Sequence, residues 1–321
     1  MEYFEILTWL LQGDISTQYQ VFRDLLNEEK PELQQKIEYE GWGKKYLSLR
    51  KQSGHWGAGF YYPKWTSSHY TILVLKELSI SPFQPEIQDT IEIIAKKERG
   101  KDGGIHPSEF NSASDVCING MFLNYASYFK TDEENLKLSV DFLLSQIMPD
   151  GGFNCMKNRK GAVHSSLHTT LSVLEGIYEY KKNGYLYRID ELIKAENSAR
   201  EFILVHQLFL SDKTGKIIHY NFLNFPYPCR WKYDILKALD YFQHSETPFD
   251  ERMTPALNIL NEKQNKYGTW NLNAKYPGKQ HFEMEKAGKP SRWNTLRALR
   301  VLKTYLKYVP NSTFNAPLIE S

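Results

Sequence analysis

Three side chains near the middle of the sequence, Asp115, Cys117 and His168, are of the types that bind zinc in proteins. The apolar residues after Cys117 and after His168 recur at helical spacing, so we expect each side chain in the first turns of a helix. Three protein ligands with one open position are typical of catalytic zinc. The sequence therefore predicts a zinc ion, Zn2+, held by these three residues.

Each of the three residues also has an ordinary structural interpretation. Asp115 suits a helix cap or an acidic first turn, where the helix dipole favours a carboxylate. A free cysteine such as Cys117 is often a small buried apolar group, and His168 could be a hydrogen-bonded core histidine. Only the joint arrangement of the three favours the metal.

Two arginines precede tryptophans in similar contexts, Arg230 before Trp231 and Arg292 before Trp293. A third loop ends in Pro63-Lys64-Trp65 and shares the pattern. Arginines at helix starts predict a clamp for phosphate or carboxylate, because the backbone N–H groups there also favour anions. We accordingly expect the tryptophans beside the bound substrate. The alternative is a structural stack of each guanidinium on an indole ring.

Further candidates for catalysis are His164, Glu283 and Glu285. His164 and His168 are four residues apart, but the chain lacks the glutamate of the His-Glu-x-x-His metalloprotease pattern. His164 is therefore predicted as an acid–base group or a reserve ligand near a loop end. Glu283 and Glu285 lie in the last long loop and could act as acids or as partners of Arg292, a solvated loop being the alternative.

Helical periodicity covers most of the chain, and strand-like alternation is nearly absent. The predicted helices are residues 3–12, 16–28, 31–50, 66–79, 84–98, 115–129, 132–147, 165–182, 186–208, 231–243, 249–264 and 292–308. Glycine turns followed by long loops separate them at intervals of about 50 residues, which indicates an array of supersecondary units.

The repeat also aligns the candidate residues. The segment that begins at His69 matches the one at His168, and the same frame places Cys117 at the equivalent position. About twelve helices in six hairpins can close into an all-α (α/α)6 toroid with parallel inner helices; an open solenoid is the alternative. In the toroid the first residues of the inner helices line one mouth of a central cavity. His69 is therefore predicted there as a catalytic candidate.

Composition narrows the class of protein. The net charge of +2 and the absence of a long basic cluster argue against nucleic acid as a partner. Three widely spaced cysteines do not form a disulfide framework, so a cytoplasmic location is expected. No run approaches the length of a membrane span. We predict one domain over residues 1–309 and a disordered tail over residues 310–321.

The stretch from residue 100 to residue 180 resembles the β subunits of protein prenyltransferases. Gly103-Gly104, Asp115-Val116-Cys117, Gly151-Gly152-Phe153 and His168-Thr169 occur in the order found in that family. The resemblance implies the terpenoid cyclase and protein prenyltransferase toroid, with Asp115, Cys117 and His168 as zinc ligands. Prenyltransferase β subunits work with an α subunit, and the sequence leaves open whether this chain has such a partner.

The whole chain is more similar still to short bacterial proteins described as squalene-cyclase-like or prenyltransferase-like. The stretches that carry this likeness include Met148-Pro-Asp-Gly-Gly-Phe-Asn-Cys155 and Pro290-Ser-Arg-Trp-Asn-Thr295. Two departures stand out. Prenyltransferases have basic residues where this chain has Glu109 and Ser112, and Ile118 replaces an aromatic residue. The Asp-x-Asp-Asp acid of type II terpenoid cyclases is missing.

Three functions follow as expectations. The first is a zinc-dependent, prenyltransferase-like or cyclase-like enzyme that acts on an isoprenoid or other apolar substrate with an anionic head. The second is a non-catalytic toroid that binds a lipid or peptide. The third is a sugar-acting α/α barrel, which requires paired carboxylates at the cavity.

Overall fold

The computed structural model describes residues 2–107, 113–273 and 276–308, and it describes the side chains of these residues except at positions 158 and 159. The predicted tail over residues 310–321 lies outside the described residues. Within them the chain is almost entirely helical. The helices are α1 (Tyr3–Leu11), α2 (Ile15–Gln20), α3 (Pro31–Lys36), α4 (Gly41–Leu47), α5 (Ser68–Glu77), α6 (Pro85–Lys97), α7 (Val116–Tyr128), α8 (Glu133–Ser145), α9 (Lys157–Lys160), α10 (Leu167–Lys182), α11 (Ile189–Val205), α12 (Ile235–His244), α13 (Thr254–Glu262) and α14 (Arg292–Tyr305).

The strands in the described part are two short ones, β1 (Trp270–Asn271) and β2 (Pro290–Ser291), which pair antiparallel. Local sequence signals explain most helix starts. Pro85 occupies the first turn of α6, and the carboxylate of Asp132 accepts a hydrogen bond from the backbone N–H of Glu134 at the start of α8. No helix of the described residues is long and apolar enough to cross a membrane.

Four predicted helices differ from the observed ones. The helix predicted from residue 249 begins at Thr254, after the 3-10 turn Glu251–Met253. The predicted helix over residues 31–50 is divided into α3 and α4, and Gly41 at the break has a φ of +62°. The predicted helix over residues 16–28 continues from α2 into a π-helical turn, Val21–Leu25. The helix predicted from residue 231 begins only at Ile235, because Arg230 adopts a left-handed backbone and Asp234 caps α12.

Six helices form a closed inner ring. Each contacts the next in the order α2, α5, α7, α10, α12 and α14, and α14 returns to α2 and to the π-helical turn. Of the remaining long helices, α8, α11 and α13 each contact the inner helix that they follow, and α6 contacts α8. The all-α toroid predicted from the sequence is confirmed, and its inner helices begin close to the predicted positions.

The closest approach in the ring joins α7 and α10. A Cβ atom on Gly120 would lie 2.6 Å from the carbonyl oxygen of Ser172, and one on Gly176 would lie 2.4 Å from the carbonyl oxygen of Gly120. Real side chains do not fit at such distances, so glycine at both positions lets the two backbones touch. This contact fixes the relative position of the helices that carry Cys117 and His168.

Buried ion pairs close the ring. The guanidinium of Arg300 on α14 donates to Asp24 of the π-helical turn at 2.8 Å and to Asp240 of α12 at 3.1 Å. Arg297, one turn earlier, also donates to Asp240 at 3.1 Å. Both arginines are 5% exposed, so these pairs lie in the interior. The two guanidinium groups thereby join α14 to α12 and to the π-helical turn.

We predict that Arg300→Met lowers the free energy of unfolding by about 3 kcal/mol. Removing one partner of a buried pair typically costs about 3–5 kcal/mol, and Arg23 and Arg297 remain to compensate the two carboxylates in part. Urea denaturation measures the change. Arg252→Met is the matched control, because Arg252 also binds two carboxylates but lies at the surface, where such pairs contribute about 1 kcal/mol or less. Equal losses in both variants would contradict this account of ring closure.

The same network predicts acid sensitivity. Burial alone would raise the pKa of Asp24, but the guanidinium groups of Arg300 and Arg23 outweigh burial and hold that pKa well below its ordinary value. A carboxyl whose pKa is depressed by folding stabilises the protein above its unfolded pKa of about 3.9, and this contribution is lost as the pH falls. Thermal unfolding should therefore show stability declining below about pH 4. The decline should be shallower in Arg300→Met, and identical slopes would contradict the prediction.

Candidate functional site

The predicted zinc ligands lie near the first turns of α7 and α10, but Cys117 and His168 have different hydrogen-bond partners. Asp115 is the N-cap residue of α7 and is 8% exposed. Cys117, in the first turn, lies beside Cys155 rather than beside His168: its backbone N–H donates to the Cys155 sulfur at 3.0 Å. The pairing follows from the loop before α10, which brings Cys155 over the start of α7.

His168 is turned toward the start of α12. Its Nδ1 accepts a hydrogen bond of 2.7 Å from the backbone N–H of Tyr233, and its ring packs against Phe222 and Trp231. Burial, with Lys232 nearby, lowers the pKa of His168 to about 4, so the ring is neutral at physiological pH. Because Nδ1 accepts, the proton of this neutral ring is on Nε2. Nδ1 of His168 is thus occupied by the hydrogen bond from Tyr233, and Nε2 carries the proton.

Among the described residues, no group of three or more His, Cys, Asp and Glu side chains gathers closely enough to hold a metal. The protonated Nε2 of His168 would also have to release its proton before it could bind one. Zinc at Asp115, Cys117 and His168 therefore stays a prediction from sequence.

Cys155 is a residue that the sequence reasoning did not select. Its sulfur accepts hydrogen bonds from the N–H of Cys117 and from the hydroxyl of Thr169, the latter at 3.6 Å. The Cys117 side chain, then its backbone N–H and Thr169, lower the pKa of the Cys155 thiol against the opposing effect of burial. The same contact raises the pKa of Cys117. The available sequence signal for Cys155 was its place shortly after a glycine turn. No neighbouring residue in the sequence indicates that Cys117 is its partner.

The two other histidine candidates have different environments. His69 is fully buried, its Nδ1 lies 3.2 Å from the hydroxyl of Tyr125, and burial lowers its pKa to about 3. It is therefore neutral and packed among aromatic rings. His164 is exposed on the loop before α10, where its carbonyl oxygen accepts from Asn154. The structure thus does not bring these two histidines together.

The two predicted clamp arginines have separate partners. Arg230 is 5% exposed, and its guanidinium lies 4.2 Å from the centre of the Trp65 ring. Arg292 instead stacks on Trp9 of α1 and donates to the carbonyl oxygen of that residue at 2.9 Å. Each arginine is stacked on a tryptophan that is distant from it in the sequence and not on the tryptophan that follows it. The stacking alternative therefore describes both contacts.

The structure also describes the surroundings of the two remaining tryptophan candidates and the two glutamate candidates. Trp231 packs on His168, and Trp293 stacks on Tyr227 with ring centres 4.8 Å apart. Glu285 caps α14: its carboxylate accepts from the backbone N–H of Arg292 at 2.8 Å and from the hydroxyl of Ser291. Glu283 is exposed in the same loop. These hydrogen bonds hold Glu285 in place at the start of α14. Positions 109 and 112, where prenyltransferases have basic residues, lie outside the described residues.

A chamber of about 400 Å³ lies inside the ring, toward the C-terminal halves of the inner helices. This end is opposite the mouth that the sequence reasoning favoured. Charged residues dominate its wall, and tyrosines and one tryptophan complete it. The lining residues are Gln20, Arg23, Asp24, Lys76, Glu77, Ser79, Asn124, Tyr128, Glu175, Tyr178, Glu179, Lys182, Tyr227, Cys229, Lys237, Asp240, Tyr241, His244, Trp293, Arg297 and Arg300.

Most charges in the chamber wall are paired. Lys76 binds Glu179 at 2.7 Å, and Lys237 binds Glu175 at 3.1 Å. The arginines of α14 bind Asp24 and Asp240, as described for ring closure. Basic residues are favoured here because the C-terminal ends of parallel helices carry partial negative charge. The wall is therefore a set of fixed ion pairs around a polar space.

Glu77 is the exception among the acids of the wall. Its Oε2 is buried and has no hydrogen-bond partner among the described residues. The side chain lies deep in the ring, yet part of the residue's surface remains accessible, since it lines the chamber. Burial, with the nearby carboxylate of Glu175, raises the pKa of Glu77 against the opposing effect of Lys237 and Arg297.

A sequence signal for this chamber exists but is weak. Charged residues recur at helical spacing within otherwise apolar inner helices, as in Glu175 and Glu179, Lys237 and Asp240, and Arg297 and Arg300. Charged pairs of this kind are common on solvent-exposed helix faces, so they do not indicate a chamber by themselves. Closure of the ring is what turns these pairs toward the interior.

Comparison with known proteins adds little to these observations. No protein-family model matches the sequence, and no curated protein matches it. Among solved structures, the chain is similar to the apo form of the type II terpene cyclase MstE from Scytonema, with 13% identity, 83% of this chain and 96% of that chain covered, and a TM-score of 0.34. A substituted form of that cyclase in complex with its product, merosterolic acid A, gives 13% identity, coverage of 83% and 95%, and a TM-score of 0.32. At these values the likeness carries no argument, and the ring stands on its own contacts.

We predict that Cys155 is the cysteine that iodoacetamide modifies fastest at pH 7. The thiolate is the reactive form, and the hydrogen bonds from Cys117 and Thr169 favour it at Cys155. Thr169→Val removes the hydroxyl at nearly constant volume and should slow the modification. Peptide mass spectrometry against time measures the rates, with the buried Cys229 as an internal reference. Faster modification of Cys117 than of Cys155 would contradict this assignment.

Proposed function

We propose that this protein is an acid–base enzyme whose small-molecule substrate binds in the central chamber, with Glu77 as the proton donor. The observation that supports the proposal best is the Glu77 carboxyl, which lines the chamber and has an oxygen without a hydrogen-bond partner among the described residues. Asp240 also has one oxygen without a partner, but Arg297 and Arg300 hold its carboxylate, whereas Glu77 forms no ion pair among the described residues.

The direction of the pKa shift of Glu77 supports a role as an acid. Catalysis by proton transfer is most effective when the pKa of the group lies near the working pH, and burial is the usual means of raising a carboxyl pKa. Burial raises the pKa of Glu77 in this way. The type II cyclase acid is missing from the sequence, and Glu77 supplies a different carboxyl inside the same kind of ring.

Glu175 is the natural partner for Glu77. It faces the same chamber from α10 and is paired with Lys237 at 3.1 Å. Two carboxyls in one cavity with different surroundings are a common arrangement of a catalytic acid and base. Here Glu175 is held by a lysine, and Glu77 forms no ion pair among the described residues. In this proposal Glu77 donates a proton to the substrate, and Glu175 accepts one from the substrate or from a water molecule.

The size of the chamber limits the substrate. A volume of about 400 Å³ equals roughly 13 water molecules at about 30 Å³ each. Such a space suits a compact polar molecule, because its wall is lined by paired charges. The pair of carboxylates that a sugar-acting barrel requires is thus offered by Glu77 and Glu175, whereas the sequence suggested Glu283 and Glu285.

An isoprenoid substrate, with zinc, remains a second candidate at the other end of the ring. The observation that favours it is a cluster of aromatic side chains near the inner helix starts, where Tyr61, Trp65 and Tyr70 pack together. Mass spectrometry of a lipid extract of the purified protein, together with metal analysis, tests it. Bound isoprenoid and about one zinc per chain, both lost in Cys117→Ala, would support this candidate over the first.

We predict that Glu77→Gln abolishes turnover while the fold is kept. The test incubates the protein with a cell metabolite extract and follows depletion and formation of metabolites by mass spectrometry. Wild-type protein should change a small set of polar metabolites, and Glu77→Gln should slow that change by about 100-fold or more. Glu92→Gln, on the outer face of α6, is the matched control and should behave as wild type. Unchanged rates in Glu77→Gln would exclude Glu77 as the acid.

The stability of Glu77→Gln provides an independent check. A carboxyl whose pKa is raised by folding stabilises the protein below its unfolded pKa of about 4.3 and costs stability as the pH rises above that value. Glutamine mimics the protonated form at every pH. Thermal unfolding should therefore show Glu77→Gln at least as stable as wild type at pH 7 and equal to it near pH 4. A clear loss of stability at pH 7 would indicate that Glu77 is an ionised structural group.

A further inference from the structure

Two of the three cysteines contact each other although they are distant in the sequence. Cys117 lies in the first turn of α7 and Cys155 lies 38 positions later, in the loop before α10; the N–H of Cys117 donates to the Cys155 sulfur at 3.0 Å. The two thiols also share a hydrogen bond, in which Cys117 donates and Cys155 accepts. Both residues keep part of their surface accessible to solvent. The fold therefore brings one pair of thiols together near the inner helix starts.

The third cysteine has different surroundings. Cys229 is 3% exposed and lies in the chamber wall, toward the other end of the ring. Its thiol donates to the carbonyl oxygen of Pro226 at 3.1 Å, and its sulfur accepts from Arg297 at 3.5 Å. Cys229 is thus a natural internal reference for any chemistry of the other two cysteines.

The sulfur of Cys155 is surrounded by polar groups. It accepts from the N–H of Cys117 and from the hydroxyl of Thr169, the latter at 3.6 Å, in addition to the Cys117 thiol. A cysteine that only fills space behaves as a small apolar residue among apolar neighbours. Cysteines that sense oxidants, in contrast, are typically accessible and lie next to a second cysteine that completes a disulfide. The arrangement of Cys155 and Cys117 corresponds to the second kind.

Cys155 is also where the loop before α10 contacts the ring. The Asn154 side chain donates to the carbonyl oxygen of His164 at 2.7 Å, a contact within the loop itself. Cys155 instead contacts Cys117 on α7 and Thr169 on α10, so it joins the loop to two inner helices. A covalent bond at this point would fix the loop to the start of α7.

We propose that Cys117 and Cys155 form a reversible redox site, a dithiol that a hydroperoxide converts into an intramolecular disulfide. The inference goes beyond the proposed function and is independent of it, because the chamber with Glu77 lies toward the other end of the ring. A disulfide of this kind differs from a structural framework: it forms when an oxidant is present and is reduced again by thiols.

The reaction with hydrogen peroxide balances in two steps. The sulfur of Cys155 attacks one peroxide oxygen, the O–O bond breaks, and a sulfenic acid and one water molecule result. The thiol of Cys117 then attacks the sulfenic sulfur, the S–S bond forms, and a second water molecule leaves. The two thiols lose two electrons and two protons in total, and the peroxide takes up both. A dithiol reductant reverses the change by thiol–disulfide exchange.

The experiment treats the full chain with stoichiometric hydrogen peroxide after reduction, removal of the reductant and measurement of its metal content. The intact mass should fall by two hydrogen atoms, and peptide mass spectrometry should find the Cys117 peptide linked to the Cys155 peptide. Cys229 should stay reduced and react with iodoacetamide once the protein is unfolded. Dithiothreitol should restore the original mass. The same oxidation in urea is the control for proximity, because an unfolded chain should also form pairs that include Cys229.

The variants separate the roles of the two cysteines. Cys229→Ser should form the disulfide as wild type does. Cys117→Ser removes the second thiol, so Cys155 should accumulate as a sulfenic acid that dimedone traps. Cys155→Ser should leave Cys117 as the free thiol under the same treatment. Oxidised wild type should melt about 5 °C higher than the reduced protein, because the bond closes a long loop, and Cys117→Ser should show no such rise.

Three results would overturn the inference. One is native protein whose Cys117 and Cys155 both remain free after the treatment. Another is a bond to Cys229 that forms as readily as the bond between Cys117 and Cys155. The third is zinc bound to the purified protein, with oxidation of the pair only after a chelator has removed the metal, since the thiols would then serve as ligands. Loss of the turnover that depends on Glu77 would leave the redox site unaffected.

Discussion

The structure depends on a small network of buried charges that joins its last inner helix to its first. Arg300 on α14 reaches both Asp240 of α12 and Asp24 of the π-helical turn. This contact joins the two ends of the ring, and its residues form part of the chamber wall on this side. The π-helical turn, Val21–Leu25, places the Asp24 carboxylate within reach of α14. Closure and chamber therefore share one physical origin.

How far the sequence could predict this protein differs between fold and site. Helices and their repetition follow from apolar periodicity and glycine turns, which are local signals, and they led to the toroid. The breaks at Gly41 and at Arg230 were missed because they depend on backbone conformations that the surrounding residues impose. The site could not be predicted in the same way, because it is made by side chains from five or six separate helices.

The zinc prediction shows why spacing alone is insufficient. Cys117 and His168 do begin neighbouring inner helices, as the repeat indicated. The direction of each side chain, however, is set by contacts distant in sequence: Cys155 meets Cys117, and the backbone N–H of Tyr233 binds the ring of His168. Likewise, the chamber charges on α10, α12 and α14 resemble a solvated helix face until the ring closes around them.

The glycine contact between α7 and α10 has a mechanical consequence. Because Gly120 and Gly176 bring the two backbones together, these helices have no layer of side chains that could repack between them. They should move as one rigid block. The pair of α12 and α14, in contrast, is joined through Asp240 by charged side chains that can exchange partners. Passage of a molecule into the interior would then widen the seam between α12 and α14, and it would have to separate buried ion pairs that salt screens only weakly.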